Sequence, residues 1–307
     1  MKNAIIAVVI ILILAGAGLY FFKPGMFNNE VAVTNPVPTQ VIPEPIVTPP
    51  AAPQAAPSAE SKNQTLLGTS VGGRSINAYH FGSGAKELLF IGGAHGGYEW
   101  NTSLVAFQLM DYLKTNPSKI PSGVTVTVIP VMNPDGLFKV TGKEGVFTAA
   151  DIPADANTVP GRYNANNVDL NRNFDCDWKA TGTWQNTKVS GGSAPFSEPE
   201  SKALQSYVSA HAPTAVVEWF SAAGGVYSSS CGKGISSETS AITKVYADAS
   251  GYPAHKNYDF YDVTGDMVNW FAKNNIPAIS VLLTDHTSTE WTKNKAGVDA
   301  LLVHYTK

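Results

Sequence analysis

The order of apolar runs and turn signals predicts an α/β fold, a largely parallel or mixed sheet covered on both faces by helices. Two observations carry this expectation. Short β-rich runs alternate with stretches whose apolar residues recur at helical spacing, which is the pattern of strand-helix crossover units. The polar and ionisable clusters follow the ends of the expected strands, where the sites of such sheets lie.

The elements follow in order. Glu87-Leu-Leu-Phe-Ile91 is a short apolar run ended by Gly92-Gly93, and Leu104, Val105, Leu109, Met110 and Leu113 then recur at helical spacing. Val124 to Met132 is rich in β-branched residues and stops at the turn signal Asn133-Pro-Asp-Gly136. Ser197-Glu-Pro-Glu200 opens a second helix, with Ser197 as N-cap, Pro199 in the first turn and Glu200 at the capping-box position. That helix carries Ala203, Leu204, Tyr207 and Val208 on one face and ends at Ala212-Pro213. Thr214 to Phe220 and Ala278 to Leu283 read as buried strands, each reached from a proline-containing loop.

The chain of 307 residues is longer than one such domain needs, and the surplus lies at its start. Ala4 to Phe22 carries no charge and is flanked by Lys2 and Lys23, long enough as a helix to cross the ~30 Å hydrocarbon core of a bilayer. The expectation is a short cytoplasmic tail (1–3), a transmembrane signal anchor (4–22) and a proline-rich stalk (23–61). The main domain (62–307) then stands outside the cytoplasm, held at the cell membrane by a single pass. Cleavage of the same segment as a signal peptide, with secretion, is the alternative. Eight of the twenty prolines fall between Pro36 and Pro57, so the stalk favours extended polyproline II conformations.

Composition excludes several classes. A formal net charge of −3 with 15% charged residues gives no basic footprint for nucleic acid. Two cysteines make neither a disulfide-dense scaffold nor a four-cysteine zinc site. In an exported domain Cys176 and Cys231 are expected to form one disulfide.

Two polar clusters carry chemistry. His95 and Glu99 share the glycine-rich loop Gly92-Gly-Ala-His-Gly-Gly-Tyr-Glu-Trp-Asn101, which lacks a phosphate-loop lysine and suits a divalent metal. The second cluster, Gly161-Arg-Tyr-Asn-Ala-Asn-Asn-Val-Asp-Leu-Asn-Arg-Asn-Phe174, closely resembles the substrate-binding segment of the zinc carboxypeptidases. The resemblance continues through Ser197-Glu-Pro-Glu-Ser201, Tyr261-Asp-Val-Thr-Gly265 and Ile276-Pro-Ala-Ile279.

The resemblance implies a mixed eight-stranded sheet with helices on both faces and a Zn2+ site at its rim, with His95 and Glu99 as the first two ligands. Asn171 and Arg172 would bind the terminal carboxylate of a peptide or a cell-wall stem peptide. Arg162 would polarise the scissile carbonyl or stabilise its oxyanion, and Tyr261 would cap the bound residue. Three positions depart from the family pattern. His95 and Glu99 are separated by three residues where the family commonly has two; Phe220 stands at the third ligand; and Leu282 stands at the catalytic base. Glu218, on the same strand face as Phe220 but ~6.6 Å back, replaces the ligand only with a bulge or register shift. Asp285, His286 and Glu290 follow Leu282 and are the candidate bases, and Glu218 and Glu290 are the expected catalytic carboxylates beside Arg162. Two functions remain open: a zinc metallocarboxypeptidase, or a non-catalytic module that binds peptide C-termini.

Overall fold

A computed structural model describes residues 63–306; the expected membrane helix at 4–22, its tail and the stalk at 23–61 lie outside the described residues. Among the described residues no helix is long and apolar enough to cross a membrane. The strands are β1 (Gln64–Thr69), β2 (Ser75–Gly82), β3 (Lys86–Ile91), β4 (Val124–Ile129), β5 (Thr181–Trp184), β6 (Thr187–Ser190), β7 (Ala215–Ser221), β8 (Gly225–Ser228), β9 (Ala254–His255) and β10 (Ala278–Leu283). The helices are α1 (Trp100–Thr115), α2 (Pro134–Thr141), α3 (Pro199–His211), α4 (Ser237–Ser250), α5 (Met267–Lys273) and α6 (Trp291–His304).

Eight strands form one mixed sheet in the order β1-β2-β4-β3-β7-β10-β8-β9, and β5 and β6 form a separate hairpin. The central run β4-β3-β7-β10 is parallel, while β1-β2, β2-β4 and β10-β8 are antiparallel. The expected α/β architecture with helices on both faces is the one observed.

Alternation along β7 divides the core. Val217 and Trp219 pack with residues of α1, α4 and α6 on one face, and Val216 and Phe220 with residues of α3 and α5 on the other. Glu218, at the same parity as Phe220, therefore belongs to the α3/α5 face.

Local chemistry sets the element ends. β4 stops at Ile129, three residues before the expected Met132, because Pro130 has no N–H for the ladder. Helix α3 begins at Pro199 with Glu198 as N-cap, not Ser197. Ser197 Oγ instead accepts from Asn173 Nδ2 at 2.9 Å and donates to Glu198 Oε1 at 2.8 Å. Asp266 caps α5, its Oδ1 accepting from Asn269 N at 2.8 Å.

A disulfide joins Cys176 to Cys231, 55 residues apart in sequence. Replacing both cysteines with serine is expected to lower the unfolding free energy by about 4 kcal/mol, the loop-closure term, measured by urea titration. A loss below about 1 kcal/mol would show that the bridge does little for stability.

Asp135, in the first turn of α2, accepts from Ser70 Oγ at 2.7 Å, Gly72 N at 2.9 Å and Arg74 Nη1 at 2.9 Å. Burial alone would raise its pKa, but the Ser70, Gly72 and Arg74 donors hold it below the ordinary value. A depressed folded-state pKa contributes stability that is present above the unfolded value of about 4 and is lost as the pH falls through the folded one. Asp135→Asn is therefore expected to flatten the acid arm of the stability profile. Urea unfolding at neutral pH and near pH 3 checks this: the wild type should lose more stability between the two than the variant.

Candidate functional site

A cavity of about 510 Å³ opens beside the carboxyl ends of β7 and β10 and is lined by His95, Glu99, Arg162, Asn171, Arg172, Phe220, Tyr261 and Leu282 among others. The structure thus brings most of the sequence-expected site residues together. They arrive from the β3-α1 loop, the long segment between α2 and β5, the end of β7, the loop before α5 and the end of β10.

The three-residue spacing between His95 and Glu99 is taken up by a 3-10 turn over Gly96–Glu99, in which Tyr98 N donates to His95 O at 3.0 Å. Gly96 has φ +45°, and a Cβ there would lie 2.7 Å from both Gly161 O and Leu137 N, so no larger residue fits without displacing the loop. The turn aims both side chains at one point, with His95 Nδ1 3.0 Å from Glu99 Oε1. Glu99 Oε2 accepts from Ser221 N at 3.0 Å, which ties the loop to the end of β7.

His95 Nε2 lies 3.3 Å from Asp169 Oδ1, so the imidazole sits between two buried carboxylates. Arg162 completes the cluster. Its Nε donates to Asp169 Oδ2 at 2.9 Å, its Nη2 lies 2.8 Å from the same oxygen, and its Nη1 lies 3.9 Å from Glu99 Oε1. Burial would raise Asp169, but Arg162 and His95 hold it far below the usual carboxylate range. Burial acts to lower Arg162, and the Asp169 and Glu99 charges outweigh it and raise the group. The Arg162 guanidinium also lies over the Trp184 ring at 4.6 Å to the centroid.

The carboxylate-binding candidates are held by their own partners. Asn171 Nδ2 donates to Asp266 Oδ2 at 2.9 Å, and its Oδ1 accepts from Met267 N at 2.9 Å. Arg172 donates through Nη1 to Asn171 O at 2.8 Å and through Nη2 to Thr183 O at 2.9 Å, leaving buried Nε without a partner. Its guanidinium carbon lies 5.9 Å from the Tyr261 ring centroid. Gly265, at φ +64°, lets the Tyr261 loop pass against the Arg172 backbone, since a Cβ there would lie 2.1 Å from Arg172 O.

Two donors on one zinc ion at ~2 Å and a tetrahedral angle stand about 3.3 Å apart, so His95 Nδ1 and Glu99 Oε1 can face one ion. Asp169 on the far nitrogen is the carboxylate that orients a ligating imidazole. The third direction is apolar. Phe220, whose ring centroid is 5.4 Å from that of His95, offers no donor. Among the described residues, the converging His, Cys, Asp or Glu group is Cys176, Asp177 and Cys231, whose sulfurs are joined in the disulfide. The donor set does not fit a zinc ion held by three residues.

The candidate bases are placed as follows. Glu290 lies outside the cavity lining and accepts from Thr284 N, Thr284 Oγ1, Tyr252 Oη and Lys293 Nζ at 2.7, 2.9, 2.8 and 2.7 Å. Asp285 Oδ1 accepts from Thr287 N at 2.7 Å and Ser288 N at 2.6 Å, closing its own turn. His286 does line the cavity, packed on Tyr98 with ring centroids 4.7 Å apart, and burial lowers its pKa. Glu218 is fully buried with both carboxylate oxygens unpartnered, and burial, then Asp266, then Glu99, raise its pKa well above the usual value. Regular pairing of β7 with β10 through Glu218, Trp219 and Phe220 leaves no bulge that would advance Glu218 to the Phe220 position.

Sequence reasoning passed over Asp169, Asp266, Tyr98 and Trp184. The first two stand within or beside motifs already singled out, and the contacts of Asn171 depend on both. Tyr98 is part of the lengthened loop, and Trp184 belongs to the β5-β6 hairpin, whose position carries no sequence signal.

With this geometry in view, the likenesses to known proteins fall into place. Human carboxypeptidase Z is 33% identical over 121 residues, a stretch covering 35% of this chain and 17% of that protein. A Clostridium perfringens bacteriocin is 30% identical over 156 residues, covering 49% of this chain and 16% of that protein. The chain thus spans about one sixth of the length of these curated relatives. Murein-tripeptide amidase MpaA from Escherichia coli superposes with a TM-score of 0.54 at 21% identity, over 82% of this chain and 96% of that one. Carboxypeptidase A from Helicoverpa armigera superposes with a TM-score of 0.62 at 18% identity, over 80% and 69%. Residues 58–292 match the zinc carboxypeptidase family as a whole, and the chain belongs to that family.

Proposed function

We propose that this domain binds the free C-termini of peptides and does not hydrolyse them. The observation that carries the reading is the pairing of Phe220 with Leu282 on adjacent strands, both lining the cavity, where the family pattern calls for a zinc ligand and a base. Hydrolysis needs a metal or equivalent to polarise the carbonyl and a base to take a proton from water. Phenyl and isobutyl groups supply neither.

The binding half is better furnished. Arg172 retains its unpartnered Nε beside Asn171 and Tyr261, and a planar guanidinium suits a carboxylate. Arg162 presents the edge not turned to Asp169. His95 and Glu99 are two donors that would hold zinc weakly, with water completing its sphere. Cell-wall stem peptides are one ligand class of this kind, supported by the fold likeness to a murein-tripeptide amidase. The uncharged run at 4–22 and the proline-rich stretch after it support tethering to the outer face of a membrane, or secretion if the run is cleaved.

Titration calorimetry of the full-length chain, with short peptides and their C-terminal amides, tests this reading. Amidation is expected to weaken binding by about tenfold or more, and Arg172→Ala to do the same, because each removes one side of a charge-assisted pair. A chelator should leave the affinity unchanged, and mass spectrometry should find no shortened peptide. Release of the terminal residue by the wild type, stopped by the chelator, would establish the zinc hydrolase instead.

A further inference from the structure

A second cavity, of about 490 Å³, adjoins the one described above and shares Gln185, Ala222, Tyr258 and Tyr261 with it. Its volume is that of a small-molecule site. Aromatic rings supply much of its lining. Tyr258 packs against Phe260 with ring centroids 5.1 Å apart and against Tyr261 at 5.2 Å. Phe260 keeps 63% of its surface exposed, a large apolar face left to solvent beside a cavity.

The turn of the β5-β6 hairpin adds Gln185 and Asn186, both exposed, and alanines complete the lining. Gln185 stands at φ +51°, where glycine is the ordinary choice, so a side chain is kept there against the preference of the backbone. Trp184, the residue before it, carries the aromatic surface on into the first cavity.

The lining of the second cavity holds no carboxylate, amine or guanidinium, and this composition selects the ligand. A charged group would find no counter-charge there, and a wholly apolar one would strip water from two carboxamides. A proline-rich peptide matches the rings but has few N–H groups to give the carboxamide oxygens. A sugar ring offers a C–H face to an aromatic ring and an edge of hydroxyl and acetamido groups that both donate and accept, as a carboxamide requires.

We propose that the second cavity is a saccharide subsite, taking an uncharged N-acetylated sugar ring joined to the peptide whose C-terminus occupies the first cavity. This rests on the reading that Arg172 and its neighbours hold that C-terminus. Tyr258 and Tyr261 belong to both cavities, so a link of a few residues, at ~3.3 Å each, spans them.

Titration calorimetry of the full-length chain tests the inference with a stem tripeptide, N-acetylated or in amide linkage to N-acetylmuramic acid, each as the free acid and as the C-terminal amide. The sugar is expected to tighten binding by about tenfold. Phe260→Ala, at a residue that lines the second cavity alone, should bring the ratio of the two affinities close to one and leave the plain tripeptide unchanged; Asn186→Ala should reduce the same ratio. Equal affinity with and without the sugar in the wild type, with amides still rejected, would overturn the saccharide subsite and leave the C-terminus reading standing. A sugar gain in a chain indifferent to amidation would uphold the subsite and overturn the C-terminus reading. A gain that survives both substitutions, or tighter binding of a proline-rich peptide than of the sugar-bearing one, would overturn the assignment of this cavity to a saccharide. The wild-type ratio decides the matter even if a variant does not fold.

Discussion

The parallel pairing of β7 with β10 is the constraint from which the character of the site follows. Its register runs without a break from Ala278 opposite Val216 to Leu283 opposite Ser221. A slip of one residue would turn Trp219 and Val281 toward the cavity and expel Phe220 and Leu282, which the packing on both faces forbids. The two substituted positions are therefore neighbours by necessity. Together they form one apolar patch, 6% exposed at each residue, and not two separate losses. The same register keeps Glu218 one step behind, too deep to stand in for either.

The ionic cluster beside this patch has a structural reason to persist that is independent of turnover. Glu99 accepts from the backbone of Ser221, Asp169 accepts from Asn171 N at 3.1 Å and from Arg162, and His95 lies between the two carboxylates. Removing one partner from such a buried set leaves an uncompensated charge, at a cost of about 3–5 kcal/mol. His95, Glu99 and Arg162 thus join the β3-α1 loop, the motif around Asn171 and the end of β7. Their presence in the sequence is accounted for by cohesion of the rim as readily as by metal chemistry.

Much of this architecture was legible beforehand. The strand Ala278–Leu283 matches its sequence boundaries, because a β-branched run entered from a proline loop has few alternatives. The ordered motifs brought His95, Glu99, Arg162, Asn171, Arg172 and Tyr261 to one cavity. The N-cap of α3 was displaced from Ser197 to Glu198 because Ser197 is occupied by Asn173, a tertiary contact that no local pattern reveals. Glu290 looked like a base because it follows Leu282 closely, yet its carboxylate is spent bracing Thr284 and Tyr252. The unpartnered state of Glu218 is likewise a property of packing: alternation gives its face, but only the fold shows that no cation meets it.

On the proposed reading, an apolar pair, Phe220 and Leu282, separates this site from a working zinc carboxypeptidase. The direct measurement is zinc content, together with release of the C-terminal residue from a free peptide, for the wild type and for the double variant Phe220→His, Leu282→Glu. Little zinc and no release are expected from the wild type, and one zinc per chain with measurable release from the double variant. Wild-type chains that carry stoichiometric zinc and release the terminal residue would contradict it.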